Sequence, residues 1–534
     1  MKLNYADYPY KSRRTAVFGQ RGMVASSNSH ATLSGIEILK SGGNCVDAAI
    51  AMAMVHVVVE PTSNGLGSDA FAILSVDDQL YGINASGYAP KNLTIKYLKD
   101  RGYKTIPTFG PLSADVPGAV AGWVELHRKF GKLPFEKIAQ PAIKYAEEGF
   151  VLTPTIGLLW EREVEKYSKF KDDTAFDGFF RTFTQGGKAP ETGTIIKLPH
   201  HGETLKEIAK TYGESFYRGE LAEKIVKYLK SKGGVMEKSD LENYKAEWVD
   251  PISVNYKGYD IWELPPNGQG MVVLMALEMI KGMNLEGVDK SLQAHYQIEA
   301  LKSAFADAEK YIGEPSRMKP TFKELLGEKY LEGRRREISD VAVIPKAGML
   351  KGSSTIYLTC ADDEGNMISF IQSNYKGFGS GVVVEGTGIA LNDRACDFSF
   401  DESSPNTLIG GTRPYHTIIP GFLTKKGKAL GSFGVMGAYM QPQGHLQILL
   451  RMIDEGFNPQ AALDAPRWQW IDGKTLEIEE EYERKTVEEL KKRGHDIKIV
   501  RDRTKMGRGQ IILKQKGIYV GGTEPRTDGC VLGM

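Results

Sequence analysis

Beyond Ser353 the texture of this chain changes abruptly, and that change narrows the folds open to it. Upstream, helical patterns dominate between Gly122 and Gly282, with helices predicted over 135–148 and 219–232. Another follows over 295–311, with apolar residues at Ile298, Leu301, Ala304 and Ala308. Downstream, 355–360, 367–372 and 382–385 have strand composition and are parted by turn-forming Asp-Glu-Gly-Asn and Gly-Phe-Gly-Ser-Gly. Strands return at 429–433, 497–500 and 510–514, with helices predicted at 444–454, 459–465 and 486–493. The other end begins with a strand near Gly22, a helix over 31–40 stopped by Gly42-Gly43, and an almost wholly apolar helix over 44–59. Strands at both ends with helices between predict an α+β design, sheets sandwiched between helical layers. The basic stretch 334–351 reads as a surface loop or linker.

A length of 534 residues alone suggests about three or four domains. The composition, 41% hydrophobic and 25% charged, is that of an ordinary soluble protein. Lys plus Arg (68) nearly cancels Asp plus Glu (67), so no field exists to draw nucleic acid or an anionic membrane. A small uncharged or zwitterionic substrate fits better. Cys45, Cys360, Cys396 and Cys530 form no Cys-x-x-Cys pair, which predicts free, mostly buried thiols and no metal site. Residues 1–14 lack the apolar core of a signal peptide, and the apolar run 48–59 is too short to span a bilayer. The expected location is the cytoplasm.

The familiar catalytic patterns are missing: there is no Gly-x-Ser-x-Gly elbow, Walker loop, His-Glu-x-x-His or Cys/His cluster. Gly377-Phe-Gly379-Ser-Gly381 leads into a strand, whereas a dinucleotide loop must open a helix. His200-His201 are expected in an exposed loop, and the acidic run 477–483 on a solvated face. Asp362-Asp363-Glu364-Gly365 reads as a hairpin turn.

Gly352-Ser353-Ser354-Thr355 resists so plain an account: a small-residue linker runs straight into a strand that opens on a hydroxyl residue. Were the backbone cut before Thr355, one residue would hold both a hydroxyl nucleophile and an α-amine. An α-amine has a pKa of about 7.7–8.0, so a useful fraction is neutral and accepts the hydroxyl proton. That is the threonine form of N-terminal nucleophilic catalysis. The same hydroxyl can make the cut, by attacking the Ser354 carbonyl to give an ester that water hydrolyses.

Over nearly its whole length the chain resembles the γ-glutamyltranspeptidases. The shared blocks are Gly35-Ile-Glu-Ile-Leu-Lys-Ser-Gly-Gly-Asn-Cys-Val-Asp-Ala-Ala49, Glu60-Pro61, Val116-Pro-Gly-Ala-Val-Ala-Gly122 and Phe216-Tyr-Arg-Gly-Glu220. Glu299-Ala-Leu-Lys-Ser-Ala-Phe-Ala-Asp307, Gly386-Thr-Gly388, Arg413-Pro414 and Ala465-Pro-Arg467 complete them. The resemblance implies a four-layer αββα sandwich built jointly by a large fragment, 1–354, and a small one, 355–534, of one precursor. It implies Thr355 as nucleophile, cleavage between Ser354 and Thr355, Ser373 as the hydroxyl supporting it, and Gly437-Ala438 as the oxyanion hole. Ile356 and Tyr357 stand where the family has Thr-His.

The substrate pocket departs further from the family. The arginine for the glutamyl α-carboxylate falls on Ser86, a substrate-contacting asparagine on Tyr375, a glutamine on Arg394, and the carboxylate-binding serines on His416-Thr417. The aspartate for the substrate amino group persists as Asp397. Several segments are similar to oxamate amidohydrolase-like and glutaryl or cephalosporin acylase-like relatives. The implied activity is hydrolysis or transfer at a small amide, most simply a γ-glutamyl one such as glutathione. The alternatives are another carboxylate-bearing amide, of oxamate or glutaryl type, or a non-catalytic relative that is never cut. No cofactor is implied; the partners are the two fragments of one precursor and, in some settings, further copies of the chain.

Overall fold

In the computed structural model, residues 14–283, 285, 287–345 and 354–534 are described. Two seven-stranded sheets carry the fold, and each takes strands from both sides of Thr355. The first runs, in spatial order, Val17–Gly19, Ile518–Thr523, Arg508–Gln515, Lys428–Met436, Gly421–Lys425, Tyr259–Glu263 and Ile252–Tyr256. The second runs Cys530–Gly533, Met23–Ser26, Ser354–Ala361, Met367–Tyr375, Asp69–Val76, Gln79–Ala85 and Glu247–Val249. Neighbours in both sheets pair antiparallel. The expected α+β sandwich is therefore present, and its sheets cannot be divided at residue 354 without dismantling both.

Helices cover the outer faces. Ser29–Lys40 and Cys45–Val59 lie against the second sheet, and Gly270–Lys281 and Met440–Ile453 against the first. Cys45–Val59 is buried at every position, as its uniform apolarity requires. Asn44 accepts from the Val46 and Asp47 N–H groups while Asp47 answers the Asn44 N–H, a capping box that fixes the helix start. Asp362 then ties that start to the predicted hairpin: its carboxylate accepts from Cys45 N–H at 3.0 Å and from Glu364 and Asn366 N–H at 3.1 and 3.0 Å.

The sheets meet through small groups. Thr359 Oγ1 touches Ser432 Oγ, Ser369 Oγ donates to the Phe433 carbonyl at 3.3 Å, and the Tyr357 ring lies on Gly434, where a Cβ would collide with it. Tyr357 is thus a core residue whose hydroxyl bonds Ser369 Oγ at 2.8 Å, which accounts for an aromatic ring at this place.

Several expectations need correction. His201 lies on the helix Pro199–Thr211 and is fully buried, because one face of that helix packs on Phe135–Glu148; burial lowers its pKa to about 3. Glu479 is not solvated either. It forms a buried ion pair with Arg526, which also holds Glu524, and Glu524 in turn holds Arg467 at 2.8 Å. The helix predicted at 444–454 begins four residues earlier, at Met440, since Pro442 is tolerated in a first turn. Arg334, Arg335 and Arg336 close the helix Glu328–Arg336, where cations suit the carbonyl end; the linker's 346–351 lie outside the described residues.

Filling the gap that Tyr357 occupies should show in stability. Gly434→Ala is expected to cost about 1–3 kcal/mol by overpacking, read as a lower urea midpoint with an unchanged slope.

Candidate active site

Thr355 is the second residue of Ser354–Ala361 and is fully buried. That strand is flanked by Met23–Ser26 only from Leu358 onward, so Thr355 has a strand neighbour on one side alone. There the ladder is irregular: Ser354 pairs with Tyr375 and Ile356 with Gln372, so Thr355 faces both Ser373 and Asn374. Such a bulge re-aims side chains beside it. Tyr375, at its far edge, has φ 81°.

The bulge brings Thr355 Oγ1 to donate to Ser373 Oγ at 3.1 Å, and that oxygen also accepts the Tyr375 N–H at 2.8 Å. Directly across from Ser373 in the sheet sits Asp69. Thr359 over Ser432 and Tyr357 over Gly434 show two strands running oppositely across the sandwich. Carried two residues further, the same spacing points Thr355 toward Met436, the last residue of its strand before Gly437-Ala438.

That turn leads into the helix Met440–Ile453. Gly437 and Ala438 have φ 132° and 51°, and both act in the turn as acceptors, from Met440 N–H at 2.9 Å and Gln441 N–H at 3.0 Å. Their N–H groups lie at the positive end of the helix, as stabilising an oxyanion requires. Alanine keeps this conformation at a cost of about 1 kcal/mol. Gln269 fixes the turn, its side-chain amide donating to the Ala438 carbonyl at 2.9 Å and also to the Thr417 carbonyl.

Arg394 is fully buried, its guanidinium stacked over the Tyr375 ring at 3.9 Å. Nη1 donates to Thr417 Oγ1 at 3.0 Å and Asp397 Oδ2 at 3.3 Å, while Nε and Nη2 find no hydrogen-bond partner. His416 Nδ1 accepts the Ile418 N–H at 3.3 Å, which leaves Nε2 to donate to Asp69 Oδ2 at 2.9 Å. Burial, reinforced by Arg394 and Arg413, holds the His416 pKa well below the ordinary imidazole value. Burial also pushes Asp69 up to about 7 against the pull of Arg394. Ser86 Oγ donates to Asn84 Oδ1 at 2.7 Å, and Asn267 bridges from Ser86 to the Pro414 carbonyl at 2.8 Å.

Thr355, Ser373, Gly437, Ala438, Arg394, Asp397, Tyr375, His416, Thr417 and Ser86 thus form one connected cluster. Asp69, Asn267 and Gln269 belong to it too and carry no catalytic motif. The one signal for the latter two is a polar Asn-Gly-Gln-Gly run set directly before an apolar helix. Among the described residues, His295, Glu299 and His495 could offer a metal ligand atoms within 4.8 Å of one another. They already engage one another: His295 Nδ1 bonds His495 Nε2 at 2.9 Å and Lys302 holds Glu299 at 2.6 Å. Glu299 and Lys302 also bind the Val343 backbone, so the group clasps the 339–343 segment. No helix among the described residues is long and apolar enough to cross a membrane.

Two shared sheets under helical layers, with a threonine opening a central strand, define an enzyme of the N-terminal-nucleophile hydrolase class. The family model described as Gamma-glutamyltranspeptidase matches residues 31–534, and the chain belongs to that family. It is 34% identical to the glutathione hydrolase-like YwrD proenzyme of Bacillus subtilis, over 97% of this chain and 99% of the relative. Identity to the oxamate amidohydrolase proenzyme of Klebsiella pneumoniae is 31%, over 96% and 98%. The crystal structure of a cephalosporin acylase from Bacillus halodurans superposes with a TM-score of 0.97 at 48% identity, covering 100% of this chain and 99% of that one. The divergent-branch resemblance is borne out by these relatives.

Replacing the strained alanine gives a direct check on the turn. Ala438→Gly should raise stability by about 0.5–1 kcal/mol, measured as a higher denaturation midpoint; an unchanged midpoint would mean the φ of 51° carries no strain.

Proposed function

We propose that the chain is a precursor that severs itself between Ser354 and Thr355, and that Thr355 then hydrolyses a small amide whose acyl part carries a carboxylate. The new α-amine takes the Thr355 hydroxyl proton, directly or through Ser373, and Oγ1 attacks the carbonyl. The Gly437 and Ala438 N–H groups receive the oxyanion. The amine leaves, and water or a second amine releases the acyl group.

The observation that carries the substrate reading is the placing of Arg394. Its Nη1 spans Asp397 and Thr417, positions that serve the glutamyl amino and carboxylate groups in the family. A cation there leaves Asp397 engaged, and its Nε and Nη2 make no hydrogen bond, with Asp69 Oδ2 4.0 Å from Nε, so that edge can still donate to a carboxylate. That favours acyl donors lacking a free α-amino group, such as glutaryl amides or oxamate. A γ-glutamyl donor is the second reading, supported by the likeness to the YwrD proenzyme and by the presence of Asp397.

Intact-mass measurement of purified protein should give two fragments, with the smaller starting at Thr355, and Thr355→Ala should give one uncut chain. A Thr355→Ala protein still split at this bond would sink the mechanism. With glutaryl-p-nitroanilide, γ-glutamyl-p-nitroanilide and oxamate side by side, one of the des-amino donors should show the highest kcat/KM. Arg394→Met should then raise its KM about 10- to 100-fold, matching the loss of a charge-assisted pair. Turnover of the γ-glutamyl donor alone would reverse the order of the two readings.

A further inference from the structure

Asp115 is fully buried, and neither of its carboxylate oxygens has a hydrogen-bond partner in the protein. Its backbone is held between the Tyr88 segment and the turn that bears Arg394 and Asp397. On one side Asp115 N–H donates to Asn392 Oδ1 at 3.0 Å and Ala395 N–H to the Ser113 carbonyl at 3.0 Å, which sets 113–115 along the turn bearing Arg394 and Asp397. On the other, Val116 N–H donates to the Tyr88 carbonyl at 3.1 Å, and Gly87 lies so close that a Cβ there would come within 3.1 Å of Asp115 Cβ. Gly87 N–H itself binds Asp69 Oδ1 at 2.9 Å.

The groups facing Asp115 are mostly of its own sign. Asp69 comes from the second sheet, and Asp393 and Asp397 from the Arg394 turn; Arg394 is the cation that acts on Asp115 itself. Lys376 neutralises Asp393, Arg413 acts on Asp69, and His416 beside Asp69 is held neutral. Leaving a carboxylate buried among three others, with no N–H or O–H to solvate it, costs several kcal/mol. A carboxylic acid in the same place costs far less and gains an O–H to donate. Burial first, then Asp69, push its pKa well above the ordinary carboxyl value.

Resting on the carboxylate-donor reading above, we propose that Asp115 is a specificity residue that acts as a neutral acid. Its O–H donates to the donor carboxylate that Arg394 binds through Nη2, which makes no hydrogen bond within the protein. The chemistry selected is an acyl group ending in a carboxylate with no ammonium beside it. An ammonium would want an ionised Asp115, and a second carboxylate beside the first is tolerated only while Asp115 keeps its proton. Binding is therefore linked to pH: once Asp115 ionises, it repels the donor, and affinity falls about tenfold for each further pH unit.

The test uses processed enzyme, glutaryl- and γ-glutamyl-p-nitroanilide, and glutarate as competitor, between pH 6 and pH 9. In the parent protein the glutaryl KM and the glutarate Ki should climb together at high pH while kcat follows its own profile. Asp115→Asn, which keeps an N–H donor and cannot ionise, should remove the high-pH climb from both curves and leave at most the step near pH 7 that Asp69 contributes. Asp115→Ala should lose the same climb but bind about tenfold more weakly throughout, the worth of one hydrogen bond to a charged group. Difference infrared spectra at neutral pH should show a protonated-carboxyl band in the parent that Asp115→Asn lacks; this reading survives even if a variant processes poorly. Parallel KM curves for parent and Asp115→Asn, with no such band, would overturn the proposal. So would a loss confined to the γ-glutamyl donor in Asp115→Asn, which would mark Asp115 as an ionised ammonium reader. A parent enzyme that binds neither glutarate nor the glutaryl donor would instead overturn the carboxylate-donor reading itself.

Discussion

Everything at this site depends on one strand being held still. Ser354–Ala361 is hydrogen-bonded to Met367–Tyr375 along its length and to Met23–Ser26 over its second half, and its inner face is locked against Lys428–Met436. A residue at its start has little freedom left, so a hydroxyl there is aimed without further ordering cost. The same packing explains why both sheets draw strands from either side of residue 354. Once the proposed cut is made, neither fragment retains a complete sheet. The hydrogen-bond ladders that fix Thr355 also keep the halves together.

The second constraint is electrostatic. Asp69, Asp115, Asp393 and Asp397 are gathered around Arg394 and Lys376 in a space with almost no water contact. So many buried carboxyls cannot all ionise. The structure distributes the burden unevenly: Asp393 is pushed only to about 6 because Lys376 lies beside it and donates a backbone N–H, while Asp115 has no such relief. Arg394 then does two things with separate edges of one planar group. Nη1 braces Thr417, whose carbonyl shares Gln269 with the Ala438 turn, and the opposite edge makes no hydrogen bond but lies 4.0 Å from Asp69 at Nε. Thr417 beside Arg394 and the Ala438 turn are in this way braced through a single amide side chain.

Much of this was legible in the sequence, for identifiable reasons. The linker running into a strand at Thr355, the apolar helix after Asn44 and the hairpin at Asp362 are local signals, and local signals survive without a structure. The ordered blocks shared with the γ-glutamyltranspeptidases pointed to Ser373, Arg394 and Gly437-Ala438, which no spacing rule would have singled out and which the structure gathers around Thr355 and Asp397. What stayed hidden depends on partners far away in sequence. Glu479 in an acidic run looks solvated until Arg526 is brought to it, and His201 looks exposed until its helix face is covered. Asp115 sits in a shared block's margin and looks like any loop aspartate, because its isolation is defined by what does not reach it.

The departures from the family pattern become intelligible when taken together. A glutamyl α-carboxylate needs an arginine on the Ser86 loop, and that loop here is instead tied inward by Asn84 and Asn267. The positive charge reappears across the pocket on Arg394, where it engages the aspartate that the family reserves for a substrate amine. Tyr375 follows from that move, since a guanidinium buried without a full set of partners gains from an aromatic face at 3.9 Å. His416 follows as well: a neutral imidazole can sit beside Arg394 and donate to Asp69, where a second cation would be repelled. One relocated charge thus accounts for substitutions on three separate segments, while Thr355, Ser373 and the helix-capped turn are left as the chemistry requires.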